Sequence, residues 1–549
     1  MTVNVVFLDY LCCHNLLLLC YSSVCCYIIA PLFICVILRL VTIKSVINLC
    51  KKIFTRKSIE TQEPTKGFTP ESSEKLSAST SNNHKNSSSA VASFDNPRVL
   101  TRDQHPVSRQ LLSPSALKVL YRLNKSGFDA YLVGGGVRDI LLGLKPKDFD
   151  IATNATPEEI KGLFRNCRLI GRRFRLAHIV FGREIIEVAT FRGHHDNGAK
   201  QTQEQKKTSK QSDEGMLLRD NIYGTIEEDA ERRDFTINAL YYSTKDFKVF
   251  DFANGVKDVE DRVIRLIGDP ETRYREDPVR MLRAIRFATK LDMDIAEGTR
   301  APIKELSSLM ANIPAARMFE EFLKMFISGK AIANFEQLRQ YNLFGYFFPV
   351  VDQALNANTT TDAEQIQQER LLALITLSMR NTDKRINNDQ RVTPAFLFAA
   401  MLWYPLQRYI SQINATQQLA PQDAFFAALS EIMPEQQRSI AIPKRFQGVM
   451  KDIWILQDKL ARREGKRAFK TFEHPKFRAG YDFLLLRAEI EQSDELKALA
   501  QWWTDFQDVS NDARVQMIKS IKSPSGSKRR SPRKRRKPAK NTSNTHNTE

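Results

Sequence analysis

The spacing of hydrophobic positions changes along the chain near residue 277. Before that point, short apolar runs are separated by polar turns, which is typical of β-strands. The runs with strand character are 131–133, 149–152, 177–181, 184–191 and 237–242, and the helical patterns among them are 113–126 and 137–142. After that point the apolar positions recur with helical spacing, as in 279–291, 315–327 and 394–402. The pattern predicts an α+β fold, with a mixed sheet followed by a nearly all-helical region.

Three segments are too polar to predict packed structure. Residues 58–97 are rich in Ser, Thr, Asn, Glu and Lys, residues 194–214 form a second polar stretch, and the tail from Ser523 combines Ser, Pro and basic residues. Such segments cannot bury enough apolar surface to offset the entropy that ordering costs. We predict a disordered linker, a mobile loop within a domain and a disordered tail, in that order.

The N-terminal region contains an apolar stretch of uncertain meaning. Residues 15–38 hold no Asp, Glu, Lys, Arg or His, and these 24 residues are long enough to span a bilayer. Three interpretations stay open: a membrane anchor, a buried N-terminal helix, or a start codon assigned too early. Seven of the eight cysteines lie in the first 50 residues, and a basic amphipathic stretch follows at 46–57, which favours the third interpretation.

The charge balance indicates a polyanionic partner. The net charge is +19, from 82 Lys and Arg against 63 Asp and Glu, and residues 519–549 alone contribute 11 basic side chains against one acid. Collagen, low-complexity chains and small disulfide scaffolds are excluded by the composition. Beyond residue 50 the sequence has one cysteine, Cys167, so disulfides cannot hold the domains together. We expect a cytoplasmic protein, with membrane association if residues 15–38 are real.

The first candidate for chemistry is a glycine-rich turn between a predicted strand and a predicted helix. Gly134, Gly135 and Gly136 are followed by Arg138. Glycines let the backbone approach a phosphate, and a helix N-terminus offers free N–H groups. The spacing is not GxGxxG, because Asp139 stands where the third glycine belongs, and no GxxxxGK[ST] loop occurs. Dinucleotide-binding and P-loop chemistry are therefore disfavoured.

The second candidate is the pair Asp148 and Asp150. Side chains alternate along a strand, so the two carboxylates share one face while Phe149 points to the core. Paired carboxylates suit Mg²⁺, and a two-metal site supports in-line phosphoryl transfer. A further acid is expected nearby, either Glu187 in the run IIEVAT or Asp234 in RRDFT, where Arg233 is suited to a triphosphate. The sequence leaves both acids open.

Three motifs together resemble the class II nucleotidyltransferases, the family of CCA-adding enzymes and bacterial poly(A) polymerases. They are GGGVRDILLG at 134–143, KDFD at 147–150 and RRDFTINAL at 232–240. The resemblance implies a polymerase-β-like head with a mixed sheet, followed by a helical neck and body. It also implies that Asp148 and Asp150 bind metal and that Gly134, Gly135 and Arg138 lie near the triphosphate. Asp234 matches the position commonly assigned a third acid.

A further stretch, YREDPVRMLRAIRF at 274–287, resembles the nucleotide-reading helix of that family. Asp277 and Arg280 are three residues apart, so on a helix they would share a face. A carboxylate can accept from the adenine N6 group, and a guanidinium can donate to N1. The resemblance implies that this pair selects the incoming base.

The stretch LIGRRFRLAHI at 169–179 resembles the bacterial poly(A) polymerase branch rather than the CCA-adding branch. The expected function is template-independent addition of AMP from ATP to RNA 3′ ends with release of pyrophosphate, using two Mg²⁺ ions. The alternatives are CCA addition to tRNA and a non-catalytic RNA-binding or chaperone protein. For most bacterial poly(A) polymerases the family role is to mark RNA for decay, so the resemblance implies partners in the decay machinery.

RNA contact is expected to be largely independent of sequence. Arg172, Arg173 and Arg175 form a basic stretch interleaved with Phe174, and the basic tail can bind phosphates. We expect a monomer. The predicted segments are an apolar extension (1–42), a basic start with a linker (43–98), the catalytic head (99–268), the helical neck (269–385), the helical RNA-binding body (386–510) and a basic disordered tail (511–549).

Overall fold

The computed structural model describes residues 94–171, 175–193, 209–211, 217–220 and 222–521. The predictions for the apolar extension, the linker up to residue 93 and the tail beyond residue 521 lie outside these residues, as do Arg172 and Arg173. Most of the polar stretch 194–214 also lies outside them, although residues 209–211 form a strand. Apart from the start of the basic tail, the boundaries of the six segments stay predictions.

The head is built on a mixed sheet. Its eight strands follow the order β1-β10-β9-β2-β3-β6-β5-β4. The strands in the described residues are β1 (Arg98–Leu100), β2 (Ala130–Val133), β3 (Asp150–Thr153), β4 (Cys167–Ile170), β5 (Leu176–Phe181), β6 (Glu184–Thr190), β7 (Ser209–Gln211), β8 (Leu217–Asp220), β9 (Leu240–Ser243), β10 (Val249–Asp251), β11 (Val263–Ile264) and β12 (Asp294–Ile295). The pairs β7–β8 and β11–β12 form two small separate sheets.

In the large sheet, β3 and β6 run parallel to each other, and every other pair of neighbouring strands is antiparallel. Asp150 of β3 is in register with Glu187 of β6, and Glu187 is in register with His178 of β5. Residues in register on neighbouring strands project from the same face of a sheet. The register therefore brings Asp150 and Glu187 to one face.

Helices flank the sheet and then make up most of the described chain from residue 270 to residue 521. Those in the described residues are α1 (Pro114–Lys125), α2 (Gly135–Leu141), α3 (Pro157–Leu163), α4 (Ile226–Glu231), α5 (Gly255–Glu260), α6 (Pro270–Glu276), α7 (Val279–Leu291), α8 (Glu297–Glu305), α9 (Ala315–Phe326), α10 (Ala331–Gln340), α11 (Pro349–Leu355), α12 (Asp362–Asn387), α13 (Pro394–Gln417), α14 (Pro421–Ser439), α15 (Lys444–Ala461), α16 (Lys466–Phe472), α17 (Phe477–Glu491), α18 (Asp494–Asp508) and α19 (Asn511–Ser520). The predicted α+β fold with a mixed sheet and a following helical region is confirmed.

Local signals explain where several helices begin. Ser113 caps α1 by accepting from the Ala116 N–H at 3.1 Å, and Pro114 occupies the first turn, where a missing N–H costs nothing. Thr225 and Glu228 form a capping box at the start of α4. The first cap places the start of α1 close to the boundary that the sequence pattern predicts at residue 113.

One strand prediction is wrong at its N-terminal half. The run 237–242 was expected to be a single strand, but Thr236–Asn238 form a 3₁₀ turn and β9 begins at Leu240. The Thr236 hydroxyl donates to Asp258 at 2.6 Å, and the Asn238 amide donates to Asp234 at 2.9 Å. Because both polar side chains are used as buried anchors, this stretch turns instead of extending the strand.

The prediction of a disordered tail from residue 511 is also wrong over its first ten residues. Residues 511–520 form α19, which begins after a Ser510 cap. The Arg514 guanidinium donates to the Phe506 carbonyl at 2.8 Å and lies 4.6 Å from the centre of the Phe472 ring. This contact, together with the packing of Met517 and Ile518 against buried residues of the body, anchors the helix.

The hydrophobic core continues from the sheet into the helical region. It includes Leu132 and Ile151 in the head and Phe322 and Phe398 in the helices, whose rings stack with centres 4.3 Å apart. A second cluster around Trp503 joins α16 to α18. None of the helices in the described part of the chain is long and apolar enough to cross a membrane.

Candidate active site

A cleft lies where the sheet of the head meets the first helices of the neck. The head contributes Asp150 and Glu187 from β3 and β6, and Arg233 from the segment after α4. The neck contributes Asp277 and Arg280. These five residues, each predicted from the sequence, share one cavity although they are spread over more than a hundred positions.

The carboxylates of the cleft repel one another. Asp150 opens toward the cleft, and partial withdrawal from water together with the negative charges of Glu187 and Asp148 raises the pKa of Asp150 to about 6. The nearby positive charge of Arg233 acts in the opposite direction and lowers the pKa of Asp150. Glu187 interacts with the His178 ring, whose Nε2 lies 3.1 Å from Oε2 of Glu187. Asp148 is exposed just before β3, and Phe149 between the two aspartates is buried, as predicted.

The donor set fits Mg²⁺ bound together with a substrate. Among the described residues, no group of three or more His, Cys, Asp or Glu side chains is placed to hold a metal ion by itself. Mg²⁺ is usually bound by one or two carboxylates plus substrate phosphates, and rarely by a complete protein cage. Burial and the neighbouring negative charges raise the pKa of Asp150, and a bound cation would stabilise carboxylates in this environment.

The glycine-rich turn approaches the cleft through Gly134. Its φ of +64° is a conformation that residues with a side chain rarely adopt. A Cβ at this position would lie 3.5 Å from Nη1 of Arg233. Gly135 begins α2, and a Cβ there would meet Arg138 Nη2 at 3.4 Å. The turn therefore keeps the backbone next to Arg233, as a phosphate-binding turn requires.

Arg138 does not line this cleft. It is 3% exposed, and its Nη1 donates to the Asn238 side-chain oxygen at 2.7 Å. Its Nε donates to Asp139 at 2.9 Å, and the guanidinium lies 5.1 Å from the centre of the Phe287 ring. These contacts hold α2 against the neck, so the structure places Arg138 in a packing role behind the turn.

Arg233 is fixed by residues that sequence reasoning missed. Asp229 Oδ2 accepts from Arg233 Nη2 at 2.8 Å and from the Tyr241 hydroxyl at 2.6 Å. The same hydroxyl accepts from Arg233 Nε at 2.7 Å. Arg233 lowers the pKa of the buried Asp229 carboxyl despite its burial. The i,i+4 spacing of Asp229 and Arg233 was the signal available in the sequence.

Asp234, the other candidate for the third acid, is not among the residues that line the cleft. Arg283 Nε of α7 donates to its Oδ2 at 2.6 Å, and the Asn238 amide donates to its Oδ1 at 2.9 Å. Burial alone would raise the pKa of Asp234, but Arg283 and these hydrogen bonds lower it to about 2. Glu187 is therefore the acid that the structure brings to Asp150.

The stretch at 274–287 that was predicted to read the nucleotide is not one helix. It divides into α6 and α7, and Asp277 lies between them with an extended backbone, at φ −149°. Pro278 disfavours a helical conformation at the residue before it, which accounts for the break. The expectation that Asp277 and Arg280 share one helix face is therefore wrong, although both side chains still line the cleft.

Both members of this pair are held in place. Arg317, at the start of α9, donates to Asp277 Oδ2 at 2.7 Å. Arg280 Nη1 donates to Glu276 at 2.8 Å and to the Arg273 carbonyl at 2.7 Å. Arg317 lies 40 positions from Asp277 in the sequence, and no motif pointed to it.

Of the predicted RNA-binding arginines, Arg175 is the one in the described residues. It is exposed and forms an ion pair with Glu158 at 2.6 Å. It is not among the residues that line the cleft.

Three family descriptions match the chain. They are "Poly A polymerase head domain" over residues 130–265, "Probable RNA and SrmB- binding site of polymerase A" over residues 292–355, and "Polymerase A arginine-rich C-terminus" over residues 417–537. Together with the cleft, the first description defines the class as a nucleotidyltransferase.

Individual relatives narrow the family. The chain is 53% identical over 432 residues to Poly(A) polymerase I of Salmonella typhimurium, which covers 79% of this chain and 90% of that protein. It is 48% identical to Poly(A) polymerase I of Haemophilus influenzae, over 77% of this chain and 90% of that protein. A CCA-adding enzyme of Lactobacillus helveticus is 39% identical over 38% of this chain and 49% of that protein. The chain belongs to the poly(A) polymerase family, which confirms the resemblance and the predicted enzyme class, polynucleotide adenylyltransferase.

Proposed function

We propose that this enzyme adds AMP from ATP to RNA 3′ ends without a template, and that the cleft between head and neck is where it does so. The RNA 3′-hydroxyl oxygen forms a bond to the α-phosphorus, the bond from that phosphorus to the bridging oxygen breaks, and pyrophosphate leaves. The observation that carries the proposal is the meeting of Asp150 and Glu187 with Asp277 and Arg280 in one cleft.

Asp148 and Asp150 would hold Mg²⁺, with Glu187 as the third acid. When bound, Mg²⁺ would stabilise the negative charge that builds up on the attacking and leaving oxygens. The chain itself supplies orientation: the register of β3 and β6 fixes the Asp150 and Glu187 carboxylates, and Arg233 presents a positive charge beside Gly134. Gly134 and Gly135 give the triphosphate access to backbone N–H groups at the start of α2.

Asp277 and Arg280 would read the adenine edge. Arg317 orients the Asp277 carboxylate, whose oxygens can accept from the N6 amino group. Glu276 holds the Arg280 guanidinium, which can donate to N1. A base held by two pre-oriented groups needs no nucleic-acid template.

Asp234 would act by joining head and neck and not by binding metal. Its two oxygens accept from Asn238 and Arg283, and Arg283 belongs to α7. Asn238 in turn accepts from Arg138. This buried chain of polar side chains connects the helix after the glycine-rich turn to the helix after Asp277.

The wider setting is also proposed. The RNA would be bound largely without sequence preference, because the basic tail offers charges that can pair with phosphates. A cytoplasmic monomer that marks RNA for decay remains the expectation. No described residue identifies a contact with the decay machinery.

Primer extension tests the function directly. The purified full chain would receive Mg²⁺, one nucleotide at a time, and either a generic RNA oligonucleotide or a tRNA that lacks CCA. We expect long ladders on the generic RNA with ATP alone. Asp148→Ala should lower incorporation by more than about 10³-fold while RNA binding is kept. Two C additions followed by one A, confined to the tRNA, would instead establish CCA addition.

A further inference from the structure

A groove in the body lies between α14 and α15, away from the residues that line the catalytic cleft. Its volume is about 570 Å³, within the range of sites that hold a small molecule or one nucleotide. The lining combines aromatic and apolar side chains with lysines: Phe426, Leu429, Met433, Lys444, Lys451 and Trp454.

Phe426 is the unusual member of this set. It is a large aromatic side chain, yet 41% of it is exposed. The ring of Phe425, which packs against the core, meets it edge-on with centres 5.3 Å apart. The Phe425 ring thus packs against Phe426, while part of the Phe426 surface faces the solvent. This arrangement is suited to stacking against another planar group.

The charge of the groove is positive. The Lys451 ammonium lies 5.7 Å from the centre of the Phe426 ring. Lys444, the first residue of α15, is exposed at the rim. Among the described residues that line the groove, none is Asp or Glu. An exposed aromatic ring can stack on a base, and two ammonium groups can pair with phosphates. The groove is therefore complementary to a nucleotide.

The groove connects to the catalytic cleft through one short stretch of chain. The Ala441 N–H, three residues before Lys444, donates to the Ala315 carbonyl at 3.0 Å. Two residues beyond Ala315, Arg317 donates to Asp277 in the cleft. One continuous route of adjacent residues therefore leads from the groove to the base-reading pair.

We propose that this groove binds an upstream nucleotide of the single-stranded RNA whose 3′ end enters the cleft. The base stacks on Phe426, and Lys444 and Lys451 contact the adjacent phosphates. The proposal rests on the proposed function, because it takes RNA as the substrate. Stacking on an aromatic ring tolerates any base, which suits an enzyme that extends RNAs of different sequence.

Direct binding is the first test. The affinity of the full chain for a fluorescent single-stranded RNA of about 20 nucleotides would be measured without ATP. Phe426→Ala should weaken binding by roughly 5- to 100-fold, the range for loss of one stacked base. Leu485→Ala, which truncates another exposed apolar residue of the body, should leave it unchanged. Equal affinities of Phe426→Ala and wild type would overturn the proposal and leave a protein partner as the occupant.

Salt dependence tests the lysines separately from folding. Removing two phosphate contacts to a single strand should make the slope of log affinity against log salt shallower by about 1.4. We expect that change for the double variant Lys444→Ala with Lys451→Ala. Lys459→Ala, on the same helix but outside the groove lining, should keep the wild-type slope. A double variant with the wild-type slope, shown to be folded by its Tm, would count against the groove.

Primer length separates this proposal from the proposed function. Primers of increasing length would be extended with ATP by wild type and by Phe426→Ala. The wild-type KM for RNA should fall once the primer is long enough to reach the groove, whereas the variant should lack that step and keep the wild-type KM for ATP. A wild type that extends no primer would refute the function. Extension by both proteins with the same length dependence would refute the groove alone.

Discussion

At the scale of single residues, the folded protein disfavours the ionised form of the Asp150 carboxyl in the cleft. Burial and the neighbouring negative charges of Glu187 and Asp148 raise the pKa of Asp150 to about 6. A carboxyl whose pKa is higher in the folded state than in the unfolded state binds its proton more tightly when folded. Ionised Asp150 therefore lowers the free energy of unfolding at neutral pH. A site suited to a metal ion destabilises the fold in this way as long as no metal ion is bound.

We expect Asp150→Asn to be inactive but more stable than wild type without added Mg²⁺. The neutral amide removes the repulsion with Glu187, so Tm at pH 8 should rise by about 1–3 °C. The gain should develop between pH 4 and pH 6 and vanish at lower pH, where Asp150 is protonated in both states. Thermal melts across this pH range would measure it, and a Tm below that of wild type at pH 8 would contradict the assigned charge repulsion.

The choice between Glu187 and Asp234 as the third acid also belongs to this scale. Glu187→Gln should lower kcat by roughly 10²- to 10³-fold and raise the Mg²⁺ concentration needed for half activity. Glu184→Gln, on the same strand but on its opposite face, is the matched control and should behave like wild type. Titrations of activity with Mg²⁺ would decide the matter. An unchanged Mg²⁺ requirement in Glu187→Gln would return the role to Asp234.

At the scale of elements, the proposed base selection depends on how helices from different parts of the neck meet. Pro278 ends α6 and frees Asp277 from helical geometry, and α9 then brings Arg317 to the Asp277 carboxylate. The pair proposed to read the base, Asp277 and Arg280, is therefore assembled from a helix junction and a third helix. The i,i+3 spacing of Asp277 and Arg280 suggested that both lie on one face of a single helix, which is not the case in the structure.

Arg317→Ala should weaken base selection without touching the metal site. Loss of the charge-assisted hydrogen bond frees the Asp277 carboxylate, so kcat/KM for ATP should fall about 10-fold. The kcat/KM values for GTP and CTP should change less, so the preference for ATP over these nucleotides should become smaller. Arg300→Ala, an exposed neck arginine paired with Glu297, provides the control. Steady-state kinetics with each nucleotide would show the effect, and an unaltered preference would dissociate Arg317 from base reading.

At the scale of the whole molecule, head and neck are joined by buried polar contacts as well as by the shared hydrophobic core. The Asp234 carboxylate links Asn238 of the head to Arg283 of the neck. Its pKa is lowered to about 2 by Arg283 and its hydrogen bonds. The stabilisation is present above the pKa of the unfolded carboxyl and is lost as pH falls toward 2.

Asp234→Asn should therefore lower Tm by several degrees at neutral pH, because it removes the carboxylate that is hydrogen-bonded to the partly buried Arg283 guanidinium. The difference from wild type should shrink as pH falls from about 4 to about 2, where wild type also loses the charge. Calorimetry over this range would follow both proteins. The Mg²⁺ requirement of the residual activity should stay that of wild type, and a raised requirement would mean that Asp234 binds metal after all.

Much of this molecule follows from its sequence. The helix 279–291 is observed with the predicted bounds, and the strands at 149–152, 177–181 and 184–191 appear within one or two residues of prediction. Local hydrophobic spacing and caps determine such elements, since the pattern itself decides which face is buried. The motifs likewise identified the family, because the chemistry needs those residue types at those spacings.

The tertiary structure decided which of the candidate residues meet. Register between β3 and β6 placed Glu187, and not Asp234, beside Asp150. Packing took Arg138 and Asp234 into a buried network, and it supplied Asp229 and Arg317 from positions that no motif marked. Apart from the i,i+4 pair of Asp229 and Arg233, these contacts join residues at least 40 positions apart, so local spacing carries no information about them. A sequence can show which groups the chemistry requires, but only the folded chain shows which of them reach the substrate.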